Sequence, residues 1–107
     1  MLKITVRYVR AGQLENLRRW FAELETTRRA EAIETLVDET VTQETVLLID
    51  GERPMVVYAM EVEDYTHARQ SADSDKFPIN AEHHAVLSAT LGDEVEAEVI
   101  LNLTVSR

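Results

Sequence analysis

The sequence predicts an α+β fold, in which four strands form an antiparallel sheet with helices on one face, and three observations lead to this prediction. Residues 2–9 and 95–105 alternate between apolar and polar side chains, which is the period of a strand with one buried face. Two apolar segments, 43–50 and 54–62, flank the turn Gly51-Glu52 and indicate a β-hairpin. Helical periodicity before and after the hairpin completes the ferredoxin-like order βαββαβ.

The N-terminal third of the chain predicts one strand and one long helix. The strand ends near Val9 and has one apolar face, formed by Leu2, Ile4, Val6 and Tyr8. After Ala11-Gly12, apolar residues recur every three or four positions and define one helical stripe, namely Leu14, Leu17, Phe21 and Leu24. The next apolar positions, Ile33, Leu36 and Val37, lie well around the helix from that stripe. We therefore expect either a kink near Thr26-Thr27 or a different packing partner for the second half.

Two charged residues interrupt these apolar rows. Arg28 continues the helical stripe, and it either lies beyond the sheet edge with its guanidinium in water or has a partner. Glu44 lies on the same strand face as Val46 and Leu48, and Arg28 is a candidate partner for it. Such a pair is either structural or part of a pocket for a polar ligand. We take Arg28, Glu44 and Tyr58, an aromatic residue of the third strand, as candidate ligand-binding residues.

Beyond the hairpin, the sequence predicts two helices and a last strand. Asp64 is a candidate N-cap for a short helix, and a second helix is predicted from about Asn80 to Leu91, ended by Gly92. The last strand, over 95–105, has one fully apolar face, made of Val95, Ala97, Val99, Leu101, Leu103 and Val105. The hairpin is apolar on both faces, and helices cover only one of them. We therefore predict a homodimer that forms through the sheet face.

The segment KFPINAEHHAVL, residues 76–87, holds two of the three histidines of the chain. On the predicted helix His83 lies on the inward stripe with Ile79, whereas His84 lies about 100° further round. Adjacent helical positions do not share a metal ion, because helical metal pairs are three or four residues apart, so we predict no metal site. His67 is expected to be exposed or to cap its helix. His83 is the candidate catalytic residue, and the alternative is a packed imidazole bonded to a backbone carbonyl or a carboxylate.

Composition narrows the class of protein. A chain of 107 residues has the length of a single domain, 1–107. Its net charge of -9 repels phosphate groups, so we expect neither a nucleic-acid nor a membrane partner. The chain has no cysteine, no glycine-rich phosphate loop and no GxSxG or HExxH motif, and we expect no cofactor. The N-terminus alternates like a strand rather than forming a signal peptide, and we expect a cytoplasmic protein.

Several segments resemble a known group of proteins. They are VRYVRAGQLENLRRWFAELE with Trp20, the run RRAEAIETLVDE over 28–39, Glu44, and the stretch from Pro78 to His83. Together they resemble the dimeric α/β-barrel superfamily, which includes antibiotic-biosynthesis-type monooxygenases and stress-responsive barrel proteins. Within it, the chain is most similar to a bacterial domain family of unknown function. The resemblance implies two four-stranded sheets that face each other across a dimer, with a pocket between each sheet and its helices. Asn80 stands where these relatives have an aspartate, and either residue suits a helix cap.

Two functions follow from this reading. The first is an uncharacterised dimeric barrel protein that binds a small ligand between sheet and helices. The second is a cofactor-independent monooxygenase or isomerase for a small apolar or aromatic substrate, with His83 as general base and Arg28 or Glu44 orienting the substrate. This fold hosts many activities, so the fold does not choose between them.

Overall fold

The computed structural model of the protein describes residues 1–105, within which it has four strands and four helices. In chain order these are β1 (Leu2–Val9), α1 (Leu14–Glu25), α2 (Arg29–Asp38), β2 (Val41–Ile49), β3 (Met55–Val62), α3 (Tyr65–Ala72), α4 (Pro78–Thr90) and β4 (Leu91–Glu94). The predicted α+β fold and ferredoxin-like order are confirmed, and each crossover consists of two helices rather than one. No helix in the described part of the chain is long and apolar enough to cross a membrane.

The strands form one antiparallel sheet in the order β2-β3-β1-β4. The hairpin predicted from the Gly51-Glu52 turn is confirmed as β2 and β3, which pair along nearly their whole length. At the centre of the sheet, Val57 of β3 lies opposite Val6 on one side and Leu47 on the other. β4 pairs with β1 only between Arg7 and Val9. The outer side of β2 is therefore an open edge, and β4 leaves the first half of β1 uncovered.

The helices pack on one face of the sheet, where two core clusters form. The larger cluster joins β1, α1, β3 and β4 through four buried residues, Val9, Leu17, Val56 and Leu91. The smaller cluster joins β2, β3 and α3 through Val41, Val62 and Ala68. Burial of such side chains supplies most of the favourable free energy of folding. The two clusters hold the helices against the sheet.

The sheet face that points away from the helices is also apolar. The prediction that the apolar face of β1 is buried is wrong for the single chain. Leu2 and Ile4, which were expected to be buried, are 57% and 58% exposed. Leu47 and Ile49 of β2 belong to the same outer face and are 57% and 48% exposed. Strand alternation defines two rows of side chains but does not state which row meets the helices. Here Val9 packs with Leu17 of α1, so the row of Val9 is the inner one.

The predicted break in the long helix is confirmed between α1 and α2. The hydroxyl of Thr26 donates to the carbonyl of Ala22 at 2.6 Å, and Thr26 has left the helical conformation, with φ -122° and ψ -89°. The predicted apolar stripe of the second half is partly wrong, since Ile33 and Val37 are 46% and 72% exposed. The inward row of α2 consists instead of Ala32, Thr35 and Leu36. Because the helix breaks at Thr26, the side chains of α2 do not continue the angular positions of those on α1. A periodicity counted from α1 across the break therefore predicts the wrong inward face for α2.

The C-terminal part of the chain differs most from the prediction. The helix ends at Thr90, and Gly92, expected to end it, lies in β4. The strand predicted over 95–105 is wrong for the single chain, because β4 ends at Glu94 and the residues from 95 to 105 have no strand pairing. Only Val95 continues along β1, with its amide donating to the carbonyl of Val6 at 2.7 Å. A strand needs a neighbouring strand, and the alternation of side chains does not show whether the chain supplies one.

The two predicted helix caps have different outcomes. Asp64 caps α3 as expected, and its carboxylate accepts the amide of His67 at 3.0 Å. Asn80 is not a cap, because α4 begins at Pro78, whose missing amide suits the first turn of a helix. Asn80 is buried instead, and its side-chain amide donates to the carbonyl of Ser71 at 3.4 Å.

Candidate functional site

A cleft of about 670 Å³ lies between the inner face of the sheet and the helices. Its walls are largely apolar and include Phe21, Val46, Met60, Ile79 and Leu87. The volume falls within the range of about 300–1,000 Å³ that is usual for small-molecule sites. The cleft is therefore the candidate functional site, and its polar side chains define what it can do.

His83 of α4 lines the cleft and is held by Trp20 of α1. The indole Nε1 of Trp20 donates a hydrogen bond of 2.8 Å to Nδ1 of His83, and the two rings stack with their centroids 6.0 Å apart. Burial, together with the neighbouring His84, lowers the pKa of His83 to about 4. The imidazole is therefore neutral at pH 7.

The hydrogen bond from Trp20 also fixes the tautomer of His83. An indole nitrogen is a donor only, so Nδ1 of His83 has to accept and carries no proton. In the neutral ring the proton is then on Nε2, which makes Nε2 a hydrogen-bond donor. His83 therefore provides a donor whose orientation is set by Trp20.

Tyr58 of β3 also lines the cleft, and its hydroxyl is buried without a hydrogen-bond partner among residues 1–105. Its ring packs edge-on against Phe21, with centroids 5.9 Å apart. Burial raises the pKa of Tyr58 well above its usual range, and the nearby Glu44 adds to this effect. Tyr58 therefore keeps its proton, and an unpaired buried hydroxyl is an exception that a native structure has to explain.

Further polar side chains line the cleft, among them two exposed arginines, Arg29 and Arg69, and two carboxyl groups with raised pKa values, Glu39 and Glu44. Glu44 of β2 lies on its inner face with Val46, as predicted from alternation, and burial raises its pKa. Glu39 follows α2, and burial, with the negative charges of Glu44 and Asp38, raises its pKa to about 7. Thr40 then reverses the chain with a left-handed φ of 60°, which lets the residue after α2 and the start of β2 share one cleft.

Arg28 is separate from this group of residues. Its guanidinium bonds to the carboxylates of Glu31 at 2.8 Å and Glu82 at 2.5 Å, and it lies over the ring of Trp20 at 5.7 Å. The predicted pairing of Arg28 with Glu44 is therefore wrong, and Arg28 does not line the cleft. The break before α2 directs Arg28 toward α4 rather than toward β2. Arg28 therefore contacts Trp20, the residue that donates a hydrogen bond to His83.

The other two histidines have different surroundings. His84 is exposed and borders the cleft next to His83. His67 is exposed, and its Nε2 lies 2.7 Å from the carbonyl oxygen of Asp38 at the end of α2. Between residues 1 and 105 no three His, Asp or Glu side chains are grouped so that they could hold a metal ion.

The sequence analysis placed His83, Glu44 and Tyr58 among the candidates, and the fold brings all three to one cleft. It missed Glu39 and the supporting role of Trp20. A signal for Glu39 was present, because it continues the row of Ala32, Thr35 and Leu36 by one further turn. Trp20 follows the buried Leu17 by three residues on α1, which places an aromatic donor on the inward face.

These features define a small α+β protein with a mainly apolar cleft between a four-stranded antiparallel sheet and its helices. The chain belongs to a family of unknown function, DUF6176, whose model matches residues 2–107. No curated protein matches the chain. The likeness to dimeric α/β-barrel proteins stays a prediction.

Proposed function

We propose that the protein is a homodimeric α/β-barrel domain that binds a small, mainly apolar or aromatic molecule in the cleft between sheet and helices. The observation that carries this proposal is the buried hydroxyl of Tyr58, which has no partner in the described structure. An unpaired buried polar group is unfavourable by about 1–3 kcal/mol. A ligand with a hydrogen-bond acceptor at this position removes that penalty.

The neighbouring groups define the class of ligand. Nε2 of His83 is a second donor, and the apolar walls match a hydrocarbon or aromatic body. Glu39 and Glu44 disfavour an anionic ligand beside them, since a further negative charge would raise their pKa values still more. The two arginines of the lining, Arg29 and Arg69, are exposed, and Arg29 is paired with Glu25 at 2.6 Å. The ligand is therefore a neutral molecule that has an apolar ring system and at least one carbonyl or similar acceptor oxygen.

The fluorescence of Trp20 tests this proposal, because it is the only tryptophan and contacts His83. We expect 2-acetylnaphthalene to change the emission saturably, and 2-ethylnaphthalene, which lacks an acceptor, to bind about tenfold more weakly. Tyr58→Phe should remove most of this difference. Tyr8→Phe, on the outer face of the sheet, is the matched control and should preserve it. Equal affinity for the two probes in the unaltered protein would contradict the proposal.

The homodimer is part of the same proposal. The outer face of the sheet exposes Leu2, Ile4, Leu47 and Ile49, which a second copy of the same face would cover. Of the twelve outer-face positions of β1, β2 and β3, only Glu61 is charged, and it pairs with the N-terminal ammonium at 2.9 Å. Light scattering at micromolar concentration should give twice the mass of one chain. A monomer would contradict this part of the proposal.

A second candidate function is an isomerase that moves a proton next to a carbonyl group, and Glu39 favours it. A general base works best when its pKa is near the working pH, and the pKa of Glu39 is about 7. His83 is a poorer base, because its pKa is about 4 and Nδ1 is occupied by Trp20. Glu39 would take the proton from the carbon beside the carbonyl. The electron pair would move to the carbonyl oxygen, where Tyr58 and His83 donate hydrogen bonds. Glu39 would then deliver the proton to a different carbon of the conjugated enolate, and the carbonyl group would form again.

Deuterium exchange into the methyl group of 2-acetylnaphthalene tests the first step of the isomerase, the removal of a proton from the carbon beside the carbonyl group. We expect the protein to accelerate exchange in D2O, with a rate that rises as Glu39 ionises around pH 7. Glu39→Gln should abolish the acceleration and leave binding intact. Glu34→Gln, on the exposed side of α2, is the control. Exchange no faster than in buffer would exclude this activity on the probe, whereas ligand binding would be unaffected.

A further inference from the structure

The segment from 95 to 105, here called the C-terminal arm, leaves the body of the protein with its apolar side chains in water. Five of its large apolar residues are between 72% and 89% exposed, namely Val99, Ile100, Leu101, Leu103 and Val105. The radius of gyration is 14.5 Å, whereas a packed chain of about 100 residues has about 13 Å. A row of exposed aliphatic residues of this size is unfavourable in water and indicates a missing contact. We infer that the C-terminal arm of each copy forms a strand against the outer edge of β2 of a second copy.

The arm has the pattern of a strand but no place in its own sheet. Val95, Ala97, Val99, Leu101, Leu103 and Val105 alternate with more polar residues, interrupted only by Ile100. β4 pairs with β1 at Arg7 and Val9 with an irregular register, and after the bond from Val95 to Val6 the arm departs. A segment with strand alternation and no intramolecular partner has the features of one that pairs with another chain.

The outer edge of β2 is the complementary surface. β2 has nine residues and pairs with β3 on one side, while its other side is unpaired in the described structure. Leu47 and Ile49 extend the apolar outer face of the sheet to this edge. An arm added here aligns its own apolar row with theirs and satisfies the open backbone groups of β2. In a two-fold dimer the exchange is reciprocal, so both copies lose an open edge.

The amount of exposed apolar surface on the arm and the outer face supports a second copy of the chain as the binding partner. An aliphatic side chain carries about 60–120 Å² of apolar surface, so the arm and the outer face together offer about 400–700 Å² per copy. A standard interface buries about 800 Å² per partner, and slightly more than half of this is apolar. The arm therefore supplies surface that the sheet face by itself lacks. The net charge of -9 also makes a nearly uncharged face the surface on which two identical chains repel each other least.

This inference rests on the homodimer proposed above, and paired substitutions separate the two. Leu101→Asp with Leu103→Asp places charges on the apolar row of the arm, whereas Asn102→Asp with Thr104→Asp places equal charges on its other side. We expect the first variant to be a monomer by light scattering and the second to stay a dimer. The second variant should retain the far-ultraviolet circular dichroism of the unaltered protein, and the first should lose only the strand signal of the arm. Both should still unfold cooperatively on heating, because the arm lies outside the packed body.

Three other results would contradict the arm exchange, and each has a different meaning. If the leucine variant stays a dimer, the sheet-face dimer stands and the exchange is wrong. If both variants dissociate to the same extent, charge rather than the apolar row is responsible. If the unaltered protein is a monomer, the exchange and the proposed dimer are both wrong.

Disulfide trapping locates the arm, because the chain has no cysteine of its own. A chain with Leu101→Cys and a separate chain with Leu47→Cys are refolded together under oxidising conditions. We expect a covalent dimer that mass spectrometry assigns to a bond between residue 101 of one chain and residue 47 of the other. Leu101→Cys mixed with Ser88→Cys, on the exposed side of α4, is the control and should give no such bond. An intramolecular bond in a single chain that carries both Leu101→Cys and Leu47→Cys would contradict the exchange.

Discussion

The indole nitrogen of Trp20 donates a hydrogen bond of 2.8 Å to Nδ1 of His83, and this contact joins α1 to α4 at the wall of the cleft. Burial, together with His84, lowers the pKa of His83 to about 4. The contact with Trp20 acts in the same direction, because a proton on Nδ1 would have to face the proton of the indole. The tautomer of the candidate residue His83 therefore depends on a side chain that does not itself line the cleft.

Acidification should destabilise the protein through His83. Its folded pKa of about 4 lies below the ordinary value of 6.5, so the unfolded chain binds the proton more readily. The contribution of His83 is complete above pH 6.5 and decreases as the pH falls toward 4, by up to about 3 kcal/mol. Urea unfolding at pH 4.5 and 7, with His83→Gln as the comparison, measures it. An equal pH dependence in both proteins would contradict the assignment.

Trp20→Phe should raise the pKa of His83. The substitution retains an aromatic ring but removes the donor that blocks Nδ1, so the imidazole regains a site for the proton. We expect the ring to titrate closer to 6.5 in an NMR pH series, and the free energy of unfolding to fall by about 1–3 kcal/mol. Phe21→Leu, which changes a neighbouring cleft residue without touching this bond, is the control. A His83 titration that is the same in the Trp20→Phe variant would show that burial alone lowers the pKa.

Glu39→Gln should stabilise the protein at alkaline pH. The pKa of Glu39 is raised from 4.5 to about 7, so its folded form retains the proton that the unfolded form loses. Stability is therefore lost as the pH rises from 4.5 through 7, by about 1–2 kcal/mol after allowance for the partial exposure of the group. Glutamine removes this loss. The melting temperature at pH 5 and pH 8 measures the effect, and a similar gain for Glu34→Gln on the exposed side of α2 would contradict it.

Tyr58→Phe should stabilise the free protein while weakening ligand binding. The hydroxyl is buried and unpaired within residues 1–105, so its removal deletes an unfavourable group and retains the packing against Phe21. We expect a gain of about 1 kcal/mol in the free energy of unfolding without ligand. Chemical denaturation of both proteins checks this. A loss of stability would mean that the hydroxyl has a partner in solution.

The sequence was sufficient to predict several residues of the candidate site, but not which of them lie together in the cleft. His83 and Glu44 were recognisable as polar side chains in apolar rows, since periodicity defines each row directly. Arg28 was also recognisable, but its assumed partner was wrong, because the break at Thr26 redirects it to Glu31 and Glu82. Glu39 has a spacing from Arg28 and Arg29 that suits a surface ion pair, and that interpretation is wrong. Its raised pKa comes from burial and from Glu44, which follows it across the chain reversal at Thr40.

The sequence by itself determined the order of the elements and the approximate position of those before β4, because alternation, helical periodicity and turn residues are local properties of the chain. It also determined that the sheet has two apolar faces. Only the tertiary structure decided which face of β1 meets the helices, which polar groups share the cleft, and that the C-terminal arm departs from its own sheet. These are contacts between distant parts of the chain, and they depend on how the elements pack together rather than on any local pattern.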